Sequence, residues 1–469
     1  MSLLSTDSGA AGRLRAGLVV SAALAVTAVT ATTAPALAAS PGGGPAEGRT
    51  AAQEGLAHPS ASLGAGPISR TVTGHHAFEP GRAGRPAGTP HAAPAHPPAG
   101  PASRAAGWQE RTVAEPDATG IRLTRVDAHV TWASGMRFDW YGDNFAFVPT
   151  LWERDDRKGA GWKERATTPG PNGYNERWND VDASSSRSAV LVGDYHEPSG
   201  GVVNQSWNGR AWKNSVAPVP KDTIGAGFLA VDARTATDAW ATGWVQVPTS
   251  DPNDSKNVGL LSHWNGTRWT AAKLPAIGGD RDGWHLVTVT ALAANDVWAA
   301  GSVYGDAGTR PLLLHFDGES WREVRVPDLG DVQAQFDALA PGPGGVVWAG
   351  GTTKAADGAR SGFALRYANG TWTRKPLPAG TAPVAAVTVN GDKPVFVVVV
   401  GEERTDAVQG NATGTRWTSL GLADAAAPPL NGLDVLASGG TIDVLGHRPP
   451  SGGTGRIGYP VVLTSTVTP

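Results

Sequence analysis

From Trp108 onward, apolar residues come in short β-rich runs separated by Gly, Asn and Asp. One stretch displays the whole pattern. Leu286-Val287-Thr288-Val289-Thr290-Ala291 is followed by Ala294-Asn295-Asp296 and then by Val297-Trp298-Ala299-Ala300-Gly301. A polar loop leads to Pro311-Leu312-Leu313-Leu314-His315-Phe316, the turn Asp317-Gly318-Glu319-Ser320, and Trp321-Arg322-Glu323-Val324. Four such runs bounded by turn residues predict one four-stranded antiparallel sheet.

The unit recurs. Trp108, Trp162, Trp212, Trp269, Trp321, Trp372 and Trp417 each open its last strand, at separations of 54, 50, 57, 52, 51 and 45 residues. First strands recur at Val181-Asp182-Ala183, Val231-Asp232-Ala233 and Val387-Thr388-Val389. Hairpins recur at Trp207-Asn208-Gly209, Trp264-Asn265-Gly266 and Tyr367-Ala368-Asn369-Gly370, where both turn residues tolerate positive φ. A period of this length in β-rich sequence predicts a radial array of small sheets. Six complete repeats lie between Trp108 and Trp417. Leu433–Leu436, Ile442–Leu445 and Pro460–Thr464 add three strands without a fourth, and Trp108–Val113 is a fourth-type strand without the other three. Together they predict an all-β, seven-bladed β-propeller of four-stranded antiparallel blades, closed by the N-terminal strand pairing into the C-terminal blade.

The propeller is expected over 107–469. Before it, Arg13 and Arg15 precede the apolar stretch Gly17–Thr30, and Ala36-Leu37-Ala38 is a small-x-small cleavage site. This predicts a Sec-type signal peptide over 1–38 and a secreted, extracellular protein. The stretch is too short to span a bilayer, and no membrane span is expected in the mature chain. Residues 39–106 are rich in Gly, Pro, Ala and His, with five of the 11 histidines (His58, His75, His76, His91, His96), and read as a disordered linker. The chain holds no cysteine, which excludes thiolate metal sites and Cys nucleophiles. Its net charge of −3 gives no field for nucleic acid. A monomer is expected.

Gly350-Gly351 followed by Tyr367 and Trp372 resembles the kelch repeat. The resemblance runs from Trp108 to Pro469 and implies a propeller similar to the central domain of the galactose oxidase group. The absence of cysteine rules out the Tyr–Cys crosslink on which that oxidase chemistry depends. The Asp-Val-Trp-Ala and Trp-Asn-Gly repeats are also similar to those of secreted actinobacterial propeller-repeat proteins of undefined role, which imply no chemistry.

His263 and His315 share one repeat position on different sheets and read as strand residues. Asp238 and Asp296 read as acceptors for loop backbone amides. No Gly-x-Ser-x-Gly elbow, His-Glu-x-x-His helix or phosphate-binding glycine loop occurs. The non-periodic residues are expected on one face, formed by second-to-third-strand turns and blade-to-blade loops. They are Trp140, Tyr174, Arg177, Tyr195, His196, Trp284, Tyr304 and Arg310, aromatics and cations suited to a sugar or peptide. The reading is a non-catalytic binding propeller for an extracellular glycan, peptide or cell-envelope partner, with no cofactor. The alternative is a polysaccharide hydrolase or lyase using Asp194, Glu197, Asp280 and Asp282, which requires carboxylates about 5–9.5 Å apart. Asp280-x-Asp282-Gly283 also opens like a calcium loop, but the matching glutamate is missing.

Overall fold

The computed structural model describes residues 107–467, apart from 143, 160, 172–174, 196–199, 252–253, 331, 402–403, 427–429 and 451–455. The expected leader (1–38) and linker (39–106) lie outside the described residues, as do Tyr174, His196 and Glu197. The described strands form seven antiparallel sheets of four.

Blade I comprises Ala118–Arg125, Val130–Tyr141, Asn144–Asp155 and Trp162–Arg165. Blade II comprises Glu176–Ser185, Ser188–Tyr195, Gly201–Trp207 and Trp212–Asn214. Blade III comprises Gly225–Thr235, Asp238–Pro248, Ser255–Trp264 and Trp269–Ala271. Blade IV comprises Gly283–Ala293, Asp296–Gly305, Gly308–Phe316 and Trp321–Glu323. Blade V comprises Gln333–Pro341, Val347–Lys354, Arg360–Ala368 and Thr371–Lys375. Blade VI comprises Thr381–Asn390, Lys393–Val400, Arg404–Gly410 and Trp417–Ser419. Blade VII takes Asn431–Ser438, Thr441–Arg448 and Tyr459–Thr466 from the C-terminal end and Gln109–Thr112 from the other.

The expected closure is therefore present. Gln109–Thr112 pairs antiparallel with Tyr459–Thr466, from Gln109 opposite Thr464 to Thr112 opposite Val461. The Trp108 indole donates to the Leu420 carbonyl at 2.9 Å, and Arg448 pairs with Glu110. A four-residue helix, Leu422–Ala425, precedes blade VII and was not anticipated; it buries Leu422.

First strands of successive blades touch around the whole circle, from blade VII back to blade I. Each of the seven shifts register against its second strand at the equivalent position, as at Gly120/Arg122, Trp178/Asp180 and Phe228/Ala230. A bulge bends the strand and moves a backbone carbonyl toward its neighbour. This explains a recurring glycine. A Cβ at Gly135, Gly193, Gly243, Gly301 or Gly351 would overlap the carbonyl oxygen of Thr119, Arg177, Gly227, His285 or Gln335. The second strand can lie flat against the bulge only where it has no side chain.

Buried aspartates then join the blades. The Val231 and Ala233 amides of blade III donate to Asp180 and Asp182 of blade II at 2.8 and 2.7 Å. The Leu123 amide of blade I donates to Asp434 of blade VII at 2.7 Å. Hydrogen bonds to a charged acceptor contribute about 1.5–3 kcal/mol each.

The Asn-Gly hairpins differ in part from expectation. At Gly209, Gly266 and Gly318 only the glycine has positive φ. The preceding Asn208, Asn265 or Asp317 instead accepts two backbone amides with its side chain, closing a longer turn. Only Asn369-Gly370, a two-residue loop, has both residues at positive φ (52° and 78°).

Candidate functional site

Antiparallel alternation puts every second-to-third-strand turn and every blade-to-blade connection at one end of the propeller, the loop face. On blades I and IV only two residues separate the second strand from the third. Trp140, Tyr195, Tyr304 and Arg310, expected on loops, sit at strand ends, and Arg177 and Trp284 sit near the start of first strands.

Blade I carries the most distinctive feature of this face. Its second and third strands are 12 residues each. Their shared end gathers Phe138, Trp140, Phe145 and Phe147, with edge-on ring contacts of 5.1–5.5 Å. Tyr141 at the tip is 60% exposed. The Arg456 guanidinium lies 4.5 Å from the Trp140 ring and donates to the Gly142 carbonyl at 2.9 Å. Such a cation–aromatic contact contributes about 0.5–1 kcal/mol at an exposed site.

Arg177 and Asp194 face each other directly in the register of blade II. They form a bidentate pair, Nε to Oδ1 at 2.6 Å and Nη2 to Oδ2 at 2.9 Å. Asn179 adds a 3.3 Å bond to the same carboxylate. Burial works against the Arg177 charge, but the Asp194 carboxylate outweighs it and holds the guanidinium above its ordinary value. A carboxylate clamped this way anchors the two strands to each other.

Asp280, Asp282, Trp284 and Tyr304 gather at the entry to blade IV, each engaged in local contacts. Asp280 accepts from the Ser250 hydroxyl at 2.7 Å and Asp282 from the Gly279 amide at 2.7 Å. Among the described residues no group of three or more His, Asp or Glu converges as a metal set. Trp284 is a core residue, packed over Gly259 between blades III and IV, so it cannot offer a ring to a ligand. Tyr304 lies over Gly283, and burial raises its phenol, with Asn257 opposing. Arg310 pairs with Glu323 at 2.6 Å. Tyr195 packs over Gly201.

The opposite face holds groups that the spacing of residues did not reveal. His263 bonds Asp238 at 2.8 Å and lies 4.4 Å from Trp240, its partner across the strands. His315, Asp296 and Trp298 repeat the arrangement on the next blade, with 2.8 Å and 4.1 Å. The two aspartates thus take histidine ring nitrogens in place of the loop amides expected. On blade III the unit borders a cavity of about 470 Å³, shared with Arg234 and Phe316. The same unit on blade IV marks it as part of the repeat's own architecture. The Asp-x-Trp spacing was the available signal, but pairing it with a histidine requires the register of the adjoining strand.

No family model and no curated protein matches this chain. Among solved structures it is similar to a PL25 ulvan lyase bound to a GlcA–Rha3S saccharide: 9% identity over 72% of this chain and 91% of that one, TM-score 0.40. It is also similar to the polysaccharide lyase Uly1, with 9% identity, coverage of 76% and 90%, and a TM-score of 0.49. A third is the β-propeller domain of the Trilobed protease from Pyrococcus furiosus, described as having an open velcro topology: 6% identity, coverage of 76% and 97%, TM-score 0.43. At such identities the likeness extends to the fold alone.

Proposed function

We propose that this chain is a secreted, non-catalytic binding propeller that takes a glycan or peptide partner on its loop face. One observation carries the reading. Among the described residues the exposed large hydrophobics are Tyr141, Val216 (86%), Val219 and Ile224, and all four fall on loop-face segments. Tyr141 tips the blade I hairpin, and the other three lie in the connection from blade II to blade III. Exposed apolar groups gathered on one face, rimmed by polar residues, suit a partner surface. Rigid aromatics beside Arg456 supply contact area at low entropic cost. The described carboxylates proposed for catalysis, Asp194, Asp280 and Asp282, are each held by structural bonds, which favours binding over bond cleavage. The leader sequence at 13–38 supports export, and Gly350-Gly351 with Tyr367 and Trp372 supports a kelch-like ancestry.

The test is a screen of the full chain against immobilised glycans and peptides, followed by titration of whatever is retained. Tyr141→Ala is expected to weaken that ligand at least about tenfold while leaving the unfolding midpoint unchanged. A chain that retains nothing at millimolar concentration overturns the reading, as does a ligand indifferent to Tyr141.

A further inference from the structure

Four of the seven seams between blades carry aromatic contacts among the described residues. Trp132 of blade I meets Trp207 and Trp212 of blade II at 6.2 and 5.5 Å. Trp240 of blade III meets Phe316 and Trp321, and Trp298 of blade IV meets Tyr367 and Trp372, at 4.7–5.4 Å. Trp348 of blade V meets Trp417 of blade VI at 6.2 Å. Each lock sets a tryptophan of one second strand against the third–fourth hairpin of the next blade.

Where the lock is absent, blades II and VI carry Val190 and Val395 at the tryptophan position, and the seam between blades VII and I carries a charge instead. Register places Asp443 at the tryptophan position of blade VII, between Leu436 and Thr464. It places Arg154 at the aromatic position of blade I, opposite Trp162. The two form an ion pair at 3.0 Å, with Asp443 fully buried and Arg154 3% exposed. Arg125 stands 3.5 Å from the same Asp443 oxygen, and Thr464 donates to the other at 2.6 Å. An ion pair is smaller than two interlocked aromatic systems, and a cavity of about 460 Å³ lies beside it.

That cavity is cationic. Arg111, Arg125 and Arg154 line it; Asp156 is also in its wall and Asp443 behind it. Three guanidinium groups line the wall against one carboxylate, with Asp443 and Asp127 acting from behind it. Among the described residues Nη1 of Arg154 is buried with no hydrogen-bond partner. Leaving a buried charged donor unmet is costly, and an oxyanion is its natural complement.

We propose that the VII–I cavity binds a small monoanionic ligand, a carboxylate, held by Arg154, Arg125 and Arg111. It lies at the end of the propeller opposite the loop face and stands independently of the function proposed above. The Arg125 charge is already disfavoured, chiefly by burial and also by Arg154, with Asp443, Asp156 and Asp127 opposing. An incoming anion relieves that strain. Arg111 belongs to the N-terminal closing strand, Thr464 and Thr466 to its C-terminal partner, and Arg125 and Arg154 to blade I. A bound carboxylate thus bridges the three segments that meet where the ring closes, and binding is linked to stability.

The experiment uses the full chain and sodium acetate at constant ionic strength, read by saturation-transfer NMR on the acetate methyl group and by the unfolding midpoint. Saturable binding is expected, with a raised midpoint and no response to neutral acetamide. Replacing Arg154 strands Asp443 and is expected to unfold the seam, so the informative variant is Arg111→Gln, whose guanidinium bonds only Gln109 among the described residues, at 3.3 Å. It is expected to weaken acetate at least about fivefold with the fold intact. No saturable signal, equal response to acetamide, or unchanged affinity in Arg111→Gln each overturns the proposal. Tighter binding of sulfate than of acetate overturns the assignment to a monoanionic carboxylate.

Discussion

Single residues in this chain answer to their place in the repeat more than to their chemical type. Asp337 shows what that entails. It occupies the bulge of blade V, 5% exposed, and accepts from Gln335 and Thr352 at 2.7 Å each. Burial pushes its carboxyl up to about 6, although Thr352, Gln335 and Arg360 pull the other way. The folded value lies above the unfolded value of about 3.9, so the native state keeps the proton longer. Asp337 is therefore neutral and harmless below pH about 4, and its ionisation lowers stability as pH rises through about 6. The loss reaches about 3 kcal/mol at neutrality, from roughly two pH units. Asp337→Asn removes the titration. Urea unfolding of both chains from pH 4.5 to 7.5 is expected to show Asn gaining on Asp as pH rises. A constant difference between them would show that Asp337 ionises without penalty. Residues of this kind were not legible in the sequence, because bulge positions carry Asn179, Leu229, Val287 or Asp337 with no common type. One residue of slip at a bulge exchanges the two faces of a strand. The same reason hid the Arg177–Asp194 pair, whose members are 17 residues apart and meet only through register.

At the scale of the blade, sequence and structure agree more closely. Periodic tryptophans and turn glycines announced four strands per blade. Those features report local conformation and cross-strand packing, which short segments encode directly. Strand ends were less legible, since nothing in residue type marks where a tight turn lets pairing continue; the long hairpin of blade I is the clearest instance. The tryptophans do more than mark strands. Trp298 is 2% exposed, stacks on His315, donates to Asp296 at 3.0 Å and contacts two aromatics of blade V. Trp298→Ala is expected to cost about 3–5 kcal/mol, the range for deleting a buried aromatic. Because the contact crosses blades, the double variant with Tyr367→Ala should lose less than the sum of the two by about 1 kcal/mol. Denaturant unfolding of the four chains measures this. Strict additivity would mean that blades IV and V are joined by backbone contact alone.

For the molecule as a whole, the question is what keeps a ring of similar blades from opening. A propeller without disulfides must hold its first and last blades by noncovalent means, and here the two ends share one sheet. The closing strand is only four residues, yet its flanks strengthen it. Val113 is buried and its amide donates to Pro460 at 2.9 Å, Trp108 bonds Leu420, and Glu110 meets Arg448. Blade VII differs from the others in drawing its outer strand from a distant part of the chain, so that strand can detach without reordering the other three. Removing residues up to 113 should lower stability by about 3 kcal/mol or more, chiefly through lost burial at Val113 and Trp108. It also bares Tyr459–Thr466, whose Val461 and Leu463 were buried in the closed sheet. An open apolar edge of that kind pairs with other chains. The truncated chain is therefore expected to self-associate as concentration rises. A synthetic peptide of residues 107–114 should return it to the assembly state of the intact chain and recover the lost stability. Sedimentation and urea unfolding with and without the peptide measure both effects. A truncated chain that stays monomeric and equally stable would mean that blade-to-blade packing alone holds the circle, and that the shared sheet follows from closure rather than causing it.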